Sequence, residues 1–485
     1  MESIWHKTLN LPARPALAED LTVEAAVIGG GMAGILTAYF LQQRQIDTVV
    51  LEASRIGSGQ TGNTTAKITA QHNIIYSRLH QYFGAEKARQ YGEANQQAVQ
   101  QYRSLIQAGN IDCAFQELPA YLYCRSAEQV KSLEAEVEAA NSSGAAAEFT
   151  TRTALPFPVA GAVKFPGQAQ FHPLAFLAAI AKDLRIFEHT RVLTVEDDCL
   201  LTEGGKVKAK HIVFATHFPF LNMPGFYFAR MHQERSYVLA LKDAAQLDGM
   251  YLGVDGEALS FRNFEDTLLL GGGSHRTGEN SAGGQYAGLR QQAEKLYPGS
   301  REITRWSAQD CVTLDGVPYI GPFAAAQPNW YVATGFGKWG MTSSMVAATL
   351  IADEISGVEN PRAEVFSPLR FTPSASVKSF FLEMGHAVSG LSRQIFTIPE
   401  ADLADLPLGH GGVLENEGEK VGVYKDEQGA VHLVSTRCSH LGCQLAWNPD
   451  EKSWDCPCHG SRFDYQGNLL DNPAQTGLER GGDDD

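Results

Sequence analysis

Long apolar runs are the first thing this sequence lacks. No uncharged apolar stretch among its 485 residues reaches the roughly 18 that a membrane-spanning helix needs, so no membrane span is expected. The opening segment MESIWHKTLNLPARPALAED has no continuous apolar core of the signal-peptide kind, which points to a cytoplasmic protein. Basic residues are in deficit, with 39 Lys and Arg facing 55 Asp and Glu for a net charge of −16. That balance argues against nucleic acid or an anionic membrane as partner, since each needs a basic face. No repeat organises the 47 glycines, which excludes collagen-like and low-complexity readings. Cysteine is scarce, with eight in the chain. Cys113, Cys124, Cys199 and Cys311 are scattered and read as buried thiols. Cys438, Cys443, Cys456 and Cys458 crowd together beside His440 and His459, and a cluster of that composition asks for a metal.

What is present begins with a strand, a tight turn, a helix and a second strand over residues 24–51. Glu24 to Ile28 is a buried-strand run, Ala33 to Gln43 carries apolar residues at helical spacing, and Thr48 to Leu51 is again a strand. This is the first βαβ unit of a doubly wound sheet. Residues 76–150 read as helical and polar, and strand-rich segments follow at 158–166, 185–216 and 235–273. Strand and helix return at Trp330–Thr334 and Met341–Ile355, an order that implies a discontinuous α/β domain with another domain inserted. Residues 371–394 contain an apolar stripe (Val377, Phe380, Phe381, Met384, Val388 and Leu391) and read as a connecting helix. Short strands with Gly and Asp turns follow from 395 to 480 as a small all-β domain, and the tail 481–485 reads as disordered.

Gly29-x-Gly31-x-x-Gly34 lies between the first strand and helix, and Glu52 ends the next strand. Glycines there let the backbone approach a pyrophosphate at the helix N-terminus, and the acid accepts from ribose hydroxyls. The fingerprint alone leaves FAD and NAD open. Two further segments bear on the choice: Arg55 to Lys67, rich in Gly and hydroxyls with Thr61, Gly62 and Thr65, and Thr334-Gly335-Phe336-Gly337-Lys338-Trp339-Gly340-Met341-Thr342, which opens a helix. Together these segments resemble the D-amino-acid oxidase superfamily, the branch holding glycine and sarcosine oxidases. The resemblance implies FAD, with Gly29, Gly31, Gly34, Glu52, Thr61, Gly62, Thr65 and the backbone of Val192 around the nucleotide. Gly335, Gly337, Trp339, Gly340, Met341 and Thr342 would lie at the flavin. Gly271-Gly272-Gly273 reads as a strand-end turn and not as a second nucleotide loop.

Cys438-x-His440 and Cys456-x-x-His459 are separated by fifteen residues, a set that zinc would also accept. With the extra cysteines and the Gly460-Ser461 that follows, the segment resembles the Rieske [2Fe–2S] fingerprint. The resemblance implies that Cys438 and Cys456 bind one iron and His440 and His459 the other, which raises the potential over an all-Cys cluster. It also implies a Cys443–Cys458 disulfide of the cytochrome bc type and a hydrogen bond from Ser461 to a cluster sulfur. Phe463 stands where that type usually carries a tyrosine.

The resemblance therefore implies a chain of three parts. Residues 1–370 form an FAD-dependent oxidoreductase, with FAD parts at about 24–75, 150–220 and 310–365 and substrate parts at about 76–150 and 225–305. The connecting helix and a Rieske domain over 395–480 follow. The expected activity is oxidation of an amine or amino acid, with electrons leaving through exposed His440 and His459 to an external acceptor. Alternatives are flow in reverse from an external donor, a non-catalytic redox sensor or electron-transfer protein, and an oxidase with a structural cluster. Lys67 and Lys338 are the candidate catalytic residues, ahead of His72, Arg235, Tyr237 and Arg262.

Overall fold

The computed structural model describes residues 1–256, 258–370, 406–416 and 419–480. The helix expected over 371–394, the residues just after it and the tail 481–485 lie outside the described residues.

The first sheet has eight strands and is the doubly wound sheet expected from the sequence. Leu21–Ile28 is central, flanked in parallel by Lys206–Phe214 and Thr48–Leu51. Gln327–Thr334 continues the parallel order on one side and Arg185–Phe187 on the other. Strands covered on both faces read as unbroken apolar runs, and Ala25–Ile28 and Val49–Leu51 are buried throughout. Helices Met32–Gln43 and Gly340–Ile355, some 300 residues apart in sequence, share one apolar core against this sheet. Their N-termini therefore come to the same edge.

The second sheet has nine strands, with Arg301–Thr313, Met231–Lys242 and Thr267–Arg276 side by side at one end. Its membership departs from the sequence reading in places. Gln116–Cys124 is a strand inside the stretch read as helical, because Ala120-Tyr121-Leu122-Tyr123 favours a pleated, buried surface over the helical pattern around it. Gly161–Gln170, expected among the FAD parts, pairs with that strand and so joins the second sheet. Gly271–Gly273 is not a strand-end turn either. It lies within Thr267–Arg276, where the pairing slips between Arg235 and Tyr237 and Gly273 adopts a φ of +65°, a bulge that a side chain would strain.

The C-terminal unit is all-β, as expected. A three-stranded sheet (His410–Asn416, Glu419–Lys425, Val431–Ser435) accompanies a four-stranded one (Ala446–Asn448, Ser453–Asp455, Arg462–Asp464, Leu469–Asp471). Trp447, Trp454 and Phe463 fill the core beneath the cysteine loops. Among the described residues, no helix is long and apolar enough to cross a membrane.

Candidate functional site

The glycine turn after Leu21–Ile28 is set by close packing. A Cβ on Gly34 would stand 1.9 Å from the Gly29 carbonyl oxygen, and one on Gly29 2.4 Å from that of Ala215. Only glycine lets strand and helix approach in this way. Gly31 precedes the helix, and Thr61 Oγ1 accepts from the Met32 N–H at 2.9 Å. Glu52 Oε2 accepts from Gly30 N–H and Oε1 from Ser54 N–H, each at 2.7 Å. Burial raises the Glu52 carboxyl above its usual range, and those two N–H groups partly offset it.

A cavity of about 1230 Å³ opens at this edge. Gly29, Gly31, Glu52, Thr61, Thr65 and Val192 line it from one side, and Gly335, Gly337, Trp339, Gly340 and Met341 from the other. Gly34, Gly62 and Thr342 are not among its lining residues, and Thr342 donates to the Thr69 carbonyl at 3.0 Å. Gly337 N–H donates to the Cys311 carbonyl at 2.8 Å, which ties the turn to the second sheet.

The candidate cations separate clearly. Lys67 lines the cavity and donates to Ser260 Oγ at 2.6 Å and the Tyr251 carbonyl at 3.1 Å. Burial, with Arg262 nearby, lowers its ammonium to about 7. Lys338 also faces the cavity but pairs with Glu234 at 3.4 Å and with Ser274. Arg262 is spent on backbone carbonyls of Thr65 and Ala66, at 2.6 and 2.8 Å. His72 is buried between Tyr91, Thr69 and Thr342. Arg235 and Tyr237 turn towards the C-terminal unit, Arg235 to Glu451 and Tyr237 towards Asn280 and Asn448.

One cavity residue was missed from sequence. Asp310, in the strand Arg301–Thr313, is raised to about 7 by burial, with Lys338 pulling it down and Glu234 pushing it up. An acid in the middle of a strand-forming run was the available signal.

The cysteine loops lie against the second sheet. Cys443 and Cys458 form a disulfide across them. The compact sulfur group is Cys443, Cys456 and Cys458, of which the disulfide leaves Cys456 able to offer a thiolate. Cys438 and Cys456 are hydrogen-bonded to each other. Backbone N–H groups of His440 and Leu441 and the Ser461 hydroxyl point at the Cys438 sulfur, while those of His459 and Cys458 point at Cys456. The hydrogen bond with Cys456 and the N–H groups lower the Cys438 thiol to about 7, while the hydrogen bond with Cys438 and burial push the Cys456 thiol up. The His440 and His459 rings stand 5.0 Å apart at 88°. Burial lowers His440 to about 4, so the imidazole is neutral at neutral pH, as a ligand must be.

The expected exposure of these histidines is not what the structure has. His459 is 7% exposed, and His440 Nε2 meets Asn222 Oδ1 at 2.7 Å. The Phe228 ring stands edge-on to both imidazoles at 6.4 and 5.7 Å. These contacts join segments more than 200 residues apart, which no local spacing reveals.

Cavity, glycine turns and cysteine loops together define a flavoprotein with an iron–sulfur module. The model of the FAD dependent oxidoreductase family matches residues 24–354 and that of the Rieske [2Fe-2S] domain residues 397–480, so the chain belongs to the FAD-dependent oxidoreductase family and carries a Rieske domain. Along nearly its whole length it is similar to the Rieske 2Fe-2S iron-sulfur protein YhfW of Bacillus subtilis (strain 168), at 38% identity over 99% of this chain and 97% of that one. It is also similar to gamma-glutamylputrescine oxidoreductase of Escherichia coli (strain K12), at 25% identity over 77% of this chain and 94% of the other. In fold it is similar to glycine oxidase from Geobacillus kaustophilus, with a TM-score of 0.60 and 19% identity over 72% of this chain and 99% of that one. Its cofactors are FAD and a [2Fe–2S] cluster. The paired glycine turns on one cavity and the N–H groups aimed at Cys438 and Cys456 fit both groups.

Proposed function

We propose that the protein oxidises an amine or amino acid and passes the electrons within the chain from flavin to cluster, and then to an external acceptor. When bound, FAD supplies two-electron oxidation of a C–N bond and the cluster supplies one-electron transfer. In this reading Cys438 and Cys456 hold one iron, His440 and His459 the other, and Ser461 donates to a sulfur. The glycine turns, Glu52, Thr61, Thr65 and Val192 hold FAD. Lys67 is the group that receives the substrate ammonium proton, because its own partners, Ser260 and the Tyr251 carbonyl, are uncharged. Lys338 sets the charge beside Asp310.

One observation carries the intrachain route. Gln309 Nε2 donates to the Gly460 carbonyl of the second cysteine loop at 2.8 Å and to Gln233 Oε1 at 2.7 Å. The Cys311 thiol donates to that same Gln233 oxygen at 3.6 Å, and the Cys311 carbonyl accepts from Gly337 in the flavin turn. Hydrogen bonds, together with the covalent bonds of Cys311 between its thiol and its carbonyl, thus join the cluster loop to the flavin turn. An amine substrate is supported by the similarity to gamma-glutamylputrescine oxidoreductase.

Anaerobic stopped flow with a panel of amines and amino acids tests this reading. Flavin absorbance is expected to fall first and the cluster signal second, and Gln309→Leu is expected to slow only the second phase. Cluster reduction ahead of the flavin would assign an external donor instead.

A further inference from the structure

His440 and Asn222 belong to different domains, yet their side chains are fitted to each other. Asn222 lies in the loop after the strand Lys206–Phe214, braced by Phe226 N–H donating to its carbonyl at 3.1 Å. The Rieske domain is held beside that loop by Asn472 Nδ2, which donates to the Thr216 and Phe218 carbonyls, each at 2.7 Å. The 2.7 Å contact between His440 Nε2 and Asn222 Oδ1 has one chemical sense. An amide oxygen only accepts, so Nε2 carries the hydrogen and Nδ1 the lone pair. His440 Nδ1 is buried and has no hydrogen-bond partner among the described residues, which leaves its lone pair available as a ligand atom.

We propose that Asn222 is a positioning residue for the cluster: the flavin domain fixes the tautomer and ring orientation of His440 and thereby sets the cluster potential. This rests on the assignment of His440 as an iron ligand. An acceptor on the outer N–H of a ligating imidazole makes the ring a stronger donor, and a stronger donor stabilises the oxidised cluster. The cluster potential is therefore a property of the docked chain and not of the Rieske domain alone. Phe228, edge-on to both imidazoles, completes the cover on that side.

The test is a mediated redox titration of the full-length holoprotein, followed by EPR and visible circular dichroism without substrate, in Asn222→Leu and Asn222→Asp. Removing the acceptor is expected to shift the midpoint upward, and replacing it by a carboxylate to shift it downward, both with the Rieske signal retained. An unmoved midpoint in both variants, or shifts of the same sign, would overturn the proposal. Loss of the cluster from both variants would overturn it too, because a positioning partner outside the ligand set is dispensable for holding iron. If only one variant keeps its cluster, the direction of its shift decides. Failure of the ligand assignment is read separately, as a Rieske signal that survives His440→Ala.

Discussion

Arg235 of the flavin domain and Glu451 of the Rieske domain form a forked ion pair, Nε to Oε2 at 3.0 Å and Nη2 to Oε1, with side chains only 2% and 7% exposed. Arg462 approaches the same Glu451 carboxylate at 3.0 Å and also holds Asp455 and Asp471, each at 3.0 Å. Two guanidiniums and two carboxylates are thus buried at the seam between cofactor domains, with the half-buried Asp471 at their edge. A buried charge left without its partner costs far more than the pair contributes, so the network specifies one docked arrangement. It also engages Arg235, which sequence reasoning offered as a substrate-binding cation and which lines the cavity, in an ion pair with Glu451.

Glu451→Gln is expected to destabilise the protein by about 3–5 kcal/mol, the usual cost of removing one partner from a buried pair. Calorimetry reads that loss. Burial would raise the Glu451 carboxyl, but Arg235 and Arg462 hold it down at about 2 against an ordinary 4.5. A depressed carboxyl contributes stability that is complete above pH 4.5 and lost as pH falls towards 2. The variant should therefore lose the part of the acid dependence that falls in that window, and an unchanged acid profile would count against the network.

Gly34→Ala should yield a protein that retains little flavin, because the added methyl meets the Gly29 carbonyl at 1.9 Å and forces helix and strand apart. Overpacking of this kind costs at least about 1–3 kcal/mol. The flavin-to-protein ratio after purification measures it, with the Rieske signal as an internal control for the rest of the chain.

Replacing Cys443 and Cys458 together by Ser removes a cross-link that closes 15 residues and should cost about 3 kcal/mol in the chain-entropy account. The loops that offer Cys438 and Cys456 would then be tied mainly by their own turns, Gly442 N–H to the Cys438 carbonyl and Gly460 N–H to that of Cys456. Faster loss of acid-labile sulfide on warming is the expected readout.

Local chemistry was the legible part. Gly29, Gly34, Glu52, the Gly335–Trp339 turn and the cysteine and histidine pairs all sit at fixed short spacings, and spacing is what a sequence displays. The Cys443–Cys458 disulfide followed from resemblance to the Rieske fingerprint. What stayed hidden depends on tertiary placement. Gly161–Gln170 gives no sign of which sheet it joins, since its partner strand Gln116–Cys124 was masked by helical surroundings. Asn222, Phe228 and Gln233 reach the Rieske loops across more than 200 residues, and polar or aromatic residues in loops and strands carry no mark of so distant a partner. The contacts of Arg235 and Tyr237 with the Rieske domain were hidden for the same reason.

Lys67 makes the sharpest pH prediction. Burial, with Arg262 adding repulsion, lowers its ammonium from 10.5 to about 7, so the folded protein gives up this proton well before the unfolded chain does. Between those limits the unfolded state binds more protons, and stability therefore rises with pH. Relative to Lys67→Met, the parent should be less stable at pH 7 and recover as pH approaches 10.5. Activity should follow the same proton: with Lys67 as acceptor, substrate-dependent flavin bleaching rises as pH passes about 7. Asp310, raised to about 7 in the same cavity, would give a rise of the same sign, so the two must be separated by substitution. Lys67→Met is expected to abolish the rise and slow bleaching by about 10²–10⁴-fold, the usual contribution of a positioned acid or base. Asp310→Asn is expected to retain the rise with a smaller loss. The reverse result, with the pH dependence following Asp310, would move the proton acceptor to the carboxylate.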